Sequence, residues 1–93
     1  GDYQGDIVND DTDRTMNVSI LHAKVAGVIT DAYISLEGSQ WTATGDSTVC
    51  LVGDVKETQI DAAVGITIQA VAGEGCGLKG EYTLASGGKL IVG

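Results

Sequence analysis

The sequence predicts an all-β chain wound as a parallel β-helix, a β-solenoid of about five short rungs. Three observations predict it: short β-branched runs in place of helical periodicity, turns made from glycine and aspartate, and internal repetition. The chain has 93 residues with 14 Gly and no Pro, so glycine, Asn and Asp must make its turns. Ninety-three residues fit a single domain, 1–93.

The strand-like runs are Asn17-Val18-Ser19-Ile20-Leu21, Tyr33-Ile34-Ser35-Leu36, Thr48-Val49-Cys50-Leu51-Val52, Gly65-Ile66-Thr67-Ile68 and Lys89-Leu90-Ile91-Val92. Gly, Asp or Asn lies at or within two residues of an end of each. The middle of the chain aligns with itself at 15 residues: Asp31 to Leu36, Asp46 to Leu51, Asp61 to Ile66. A second unit, apolar-x-Gly-x-apolar, recurs at Tyr3 to Ile7, Val25 to Ile29 and Leu78 to Tyr82; Trp41 to Thr44 occupies the same place in its own repeat. Each repeat thus holds two short strands, at intervals of 15 to 22 residues. Winding them helically lets every rung bond to the next. Val18, Ile20, Ile34, Leu36, Val49, Leu51, Val64 and Ile66 are expected inside, with Ser19, Ser35, Cys50 and Gly65 as the outward ladder. Alternation with glycine turns also describes a small antiparallel β-barrel or sandwich, the alternative architecture, which carries a weaker reading as a small inhibitor.

The segment Leu36-Glu37-Gly38-Ser39-Gln40-Trp41-Thr42-Ala43-Thr44-Gly45-Asp46-Ser47 resembles the rung motif L-x-x-S-x-W-T-x-T-G-D-S of bacterial surface proteins with right-handed parallel β-helices. These include autotransporter-like passenger repeats and pectin-binding, carbohydrate-binding-domain proteins. The likeness covers residues 3–52; beyond them only the general rung pattern persists, ending at Tyr82 to Leu90. It implies the fold and an extracellular or cell-surface address. Such proteins usually have many more rungs and rarely carry this pair of cysteines, so no activity is carried across.

Composition narrows the function. Thirteen acidic against five basic residues give a formal charge of −8, which argues against nucleic acid and anionic membranes as partners. No uncharged stretch approaches the ~20 residues of a membrane-spanning helix, so membrane insertion is not expected, and no leader is recognisable in the opening residues. An acidic, lysine-poor, Gly/Thr-rich chain with two cysteines fits a secreted protein. His22 is the single histidine, placed in a turn, and a convex bar offers no pocket for a nucleophile. Two Cys and one His without C-x-x-C spacing do not supply a zinc site. A non-catalytic protein without a resident cofactor is expected.

Candidate sites follow from residue chemistry. Asp10, Asp11 and Asp13 put several oxygens in one loop and are the best candidates for a calcium ion. Asp31, Asp46 and Asp61, stacked at the 15-residue interval, would lie ~5 Å apart and form a second. Trp41, with Tyr33 and Tyr3, is a candidate platform for a sugar ring, although its repeat position, filled by Val25 one rung earlier, better suits a core or corner plug. Cys50 and Cys76 are a candidate disulfide worth roughly 3 kcal/mol. Finally, a solenoid exposes two edges. Tyr3, Gly5 and Ile7 mark one; Leu90, Ile91 and Val92 mark the other, apolar and without a recognisable cap. A structural or adhesive protein associating head to tail with its own copies into a filament follows, against a calcium-assisted binder of extracellular polysaccharide.

Overall fold

The computed structural model describes residues 1–93. Eleven strands and no helix form: β1 (Asp2–Gln4), β2 (Ile7–Val8), β3 (Asn17–Leu21), β4 (Lys24–Ala26), β5 (Ile29–Glu37), β6 (Gln40–Ala43), β7 (Ser47–Leu51), β8 (Gln59–Ala62), β9 (Thr67–Ala72), β10 (Gly80–Thr83) and β11 (Lys89–Val92). One sheet runs β1-β4-β6-β8; the other runs β10-β11-β9-β7-β5-β2, with β3 also on β5. Every pairing is parallel except β10 with β11. The chain is a β-solenoid of about five turns, and the antiparallel barrel is excluded.

The core is the space between the sheets. Columns of aliphatic side chains fill it: Val18, Ile34 and Leu51 stack through β3, β5 and β7, and Ala32, Val49, Ala70 and Val92 through β5, β7, β9 and β11. On the other wall Val25, Trp41 and Ile60 are in register. Burying each large aliphatic group is worth ~1.5–3 kcal/mol, which explains a core without phenylalanine.

The repeat is less strict than its 15-residue self-alignment. Partner residues are 16 apart between β3 and β5 (Asn17 and Tyr33) and 22 apart between β9 and β11 (Thr67 and Lys89). A bulge at Asp31 shifts the register, so that Thr30 faces Thr48 while Ala32 faces Val49. Asp31 takes a left-handed φ of 57° there, as an extra residue in a bulge can. Two expected inward residues are displaced as a result. Val64 is 79% exposed in a turn, and Ile66 only packs against the edge of the core, because the strand begins at Thr67.

Corners are set by backbone geometry. His22, Gly38 and Glu57 follow the in-register residues Leu21, Glu37 and Lys56, and all three have φ near 50°. Successive coils therefore turn one corner through a left-handed residue, a conformation cheap only for Gly38. At another corner Gly27 lies against the Gly5 carbonyl of the coil before it, where any Cβ would overlap that oxygen.

Candidate functional site

The two ends of the solenoid are unlike. At the C-terminal end, Leu84–Gly88 fold the chain back, closed by Leu84 N–H donating to the Gly88 carbonyl and Gly87 N–H to that of Leu84 (2.8 and 2.9 Å). This lays β10 antiparallel along β11, with Glu81 in an ion pair to Lys89 at 3.3 Å. The edge expected at Leu90, Ile91 and Val92 is therefore not an edge. β11 lies between β9 and β10, and Leu90 and Val92 are 4% exposed in the core. Beyond β8, Gly88 N–H donates to the Ala62 carbonyl (2.8 Å) and Ala63 bridges Gly87, so the returning segment clasps part of the second sheet too.

The N-terminal end carries no such cover. β1 has only β4 as neighbour, and β2 and β3 have only β5. Between them opens an apolar mouth of about 360 Å³, lined by Tyr3, Ile7, Val18, Ile20, Leu21 and Val25 among others. Tyr3, Val8 and Leu21 are about half exposed there. Of the residues expected at the other edge, Tyr3 and Ile7 lie on β1 and β2 and Gly5 between them, and β3 lies on the same open side.

The hydrogen bonds of β3 show which backbone groups are free. Tyr33 N–H donates to the Met16 carbonyl (2.8 Å) and His22 N–H to the Glu37 carbonyl (2.9 Å). Strand groups alternate in direction, so the even residues of β3 bond to β5. Asn17, Ser19 and Leu21 then direct their N–H and C=O away from the solenoid.

Other candidates are redistributed. Trp41 is fully buried, and its indole Nε1–H donates to the Gly27 carbonyl at 3.1 Å. It is a core plug, and the sugar-stacking role is overturned; Tyr33 and Tyr3 lie on different sheets and make no platform with it. Cys50 and Cys76 are free thiols. Cys50 lies on β7 against Gly73, and Cys76 packs on the core with its N–H on the Gly73 carbonyl (3.1 Å).

No group of three or more His, Cys, Asp or Glu is placed to hold a metal ion. Asp10, Asp11 and Asp13 do not converge. The Asp11 carboxylate instead accepts the Asp13 N–H (3.2 Å) and meets Arg14 at 3.6 Å, while Asn9 Oδ1 accepts the Asp11 N–H (3.1 Å). The column of Asp31, Asp46 and Asp61 does not exist either: Asp31 lies in the β5 bulge, Asp46 before β7, and Asp61 in β8 opposite Thr42.

These aspartates are clasps between coils. Asp6 accepts the Val28 N–H (3.0 Å), Asp46 the Thr67 N–H (2.9 Å), and Asp31 the Thr48 hydroxyl (3.0 Å). Asp61 holds the returning segment: it accepts the Ser86 hydroxyl (2.6 Å), the Ser86 N–H (2.9 Å) and the Ala62 N–H (2.9 Å). The bonds from Ser86 hold its carboxyl below the ordinary value of 3.8. A carboxylate with a lowered folded pKa stabilises the fold at pH above the unfolded value and ceases to do so as pH falls through the folded one. Melting temperature is therefore expected to drop on acidification below pH 3.8, with Asp61→Asn removing part of that drop and lowering the neutral-pH value. An unchanged acid profile in Asp61→Asn would show that the clasp carries none of it.

Two depressions remain. One, of about 410 Å³, lies on the outer face of the larger sheet; its lining includes Tyr33, Cys50 and Val71 beside Thr12 and Arg14 of the 10–15 loop. Another holds His22, Ser39 and Glu57 at the left-handed corner. There the Ser39 hydroxyl is shut away from solvent without a partner, an arrangement unlike that of a nucleophile.

No family model, no curated protein and no solved structure matches the chain.

Proposed function

We propose that this chain is a non-catalytic structural β-solenoid that acts by association through its open N-terminal end. The observation that carries this reading is the contrast between the ends: a returned, ion-paired hairpin on one, and three strands paired on one side only around an apolar mouth on the other. Open, uncharged strand edges recruit further strands. Work outside the cell or at its surface is the address that the resemblance of Leu36 to Ser47 implies, and an adhesive or scaffolding role is read from the open end alone. Association through Leu90 to Val92 forms no part of the reading, because those residues are internal. The competing polysaccharide binder loses its stacking residue to the core and its calcium loop to internal hydrogen bonds.

Sedimentation velocity on the chain at rising micromolar concentration tests the reading. Reversible association is expected, strengthened by salt, since each copy carries a charge of −8 that salt screens. Ser19→Pro should abolish it with the circular dichroism unchanged: the proline removes an outward N–H of an edge strand and leaves the ladder to β5 alone. A strictly monomeric chain at high micromolar concentration would overturn the reading.

A further inference from the structure

We infer that the partner at the open end is a second copy of this chain, related by a two-fold axis that runs between β3 and its copy, so that assembly stops at a dimer. The inference rests on the self-association just proposed and adds its symmetry. Asn17, Ser19 and Leu21 present their N–H and C=O groups outward, and β3 between them carries no charge. An antiparallel pairing centred on Ser19 sets Asn17 against Leu21 of the copy, Ser19 against Ser19, and Leu21 against Asn17. Every outward group of β3 then finds a partner, in the pattern by which antiparallel residues exchange both hydrogen bonds. A shift of the axis by two residues leaves part of the edge unpaired.

The rest of the end permits this arrangement. An axis perpendicular to the sheets also turns β1 antiparallel to its own copy. The apolar mouths, lined by Val18, Ile20 and Val25, meet and extend one core into the next. Thr12, Arg14 and Thr15 of the loop before β3 line the depression on the outer face of the larger sheet. Head-to-tail growth needs β10 instead. That strand has four residues, starts on Gly80 and presents Glu81 in an ion pair to Lys89, the charged kind of edge that resists strand addition. An isologous contact closes, whereas a heterologous one propagates.

The test is a cysteine at the axis. In a Cys50→Ser, Cys76→Ala background, Ser19→Cys should oxidise to a covalent dimer, because opposite residues of a hydrogen-bonded antiparallel pair lie about 5.5 Å apart, within disulfide reach. Ser35→Cys, one coil inward on β5 and covered toward the open end by β3, should stay monomeric under the same oxidation. If that background fails to fold, the unmodified chain still decides by its end point in sedimentation: twice the chain mass and no more is expected. Species that keep growing with concentration, with Ser19→Cys left uncrosslinked, would overturn the two-fold axis while leaving self-association standing. A monomer at every concentration would overturn both.

Discussion

Trp41→Ala is expected to leave the chain at the margin of folding. Trp41 is the largest side chain in a core otherwise built from Ile, Leu, Val and Ala, and it is wholly enclosed. Truncation of a buried Trp typically costs ~3–5 kcal/mol through lost transfer energy and residual cavity. Domains of this size have ~5–15 kcal/mol in total. The loss is compounded by hydrogen bonding, because the indole N–H donates to the Gly27 carbonyl. Trp41→Phe separates the two effects: it retains most of the volume, orphans that carbonyl, and is expected to cost ~1–3 kcal/mol. Urea denaturation followed by circular dichroism measures both, since the single Trp is the fluorophore being removed. A cost under about 1 kcal/mol for Trp41→Ala would mean that the column of Val25, Trp41 and Ile60 does not hold that wall together.

How far the sequence revealed this molecule depends on which interactions are local. Strand alternation is local, and it located β3, β5 and β7 with their inward residues, and β11 as a strand. The rung motif placed Trp41 in register with Val25, where it is found. Coil length is not local. The 15-residue alignment of Asp31, Asp46 and Asp61 reflects a shared preference of turns for aspartate, whereas register depends on how many residues each corner absorbs. The bulge at Asp31 and the long turns after Leu51 and Ala62 absorb different numbers. The returned hairpin did leave a signal: Ser86-Gly87-Gly88 between Gly80 to Thr83 and Lys89 to Val92 is turn chemistry between two strand-like runs. Reading those residues as one more rung concealed it, because a repeat pattern says nothing about strand direction. The cysteines fail for a related reason. Spacing shows that two thiols are distant in the chain, but not where each one packs.

Gly27→Val is expected to be as damaging as the loss of Trp41, by the opposite mechanism. Any side-chain carbon at position 27 overlaps the Gly5 carbonyl oxygen, a backbone atom with no rotamer to escape into. Relief requires the first two coils to separate, and three hydrogen bonds meet at that point. Gly5 N–H donates to the Ala26 carbonyl (3.0 Å), Gly27 N–H to the Thr42 carbonyl (3.1 Å), and Trp41 Nε1–H to the Gly27 carbonyl (3.1 Å). At ~1 kcal/mol for each net bond and ~1–3 kcal/mol for overpacking, the expected loss is about 4–6 kcal/mol. Gly77→Ala is the matched control, because a Cβ there meets nothing within 4 Å; it should stay within ~0.5 kcal/mol of the parent. The damage should also be directional. Opening the first coil unseats β1 from β4, so Gly27→Val is expected to speed amide exchange in β1 and β4 ahead of β9 and β11, which lie at the far end of the stack. Uniform acceleration through all the strands would mean that the coils unfold as one unit, without the end-to-end independence that stacked repeats confer.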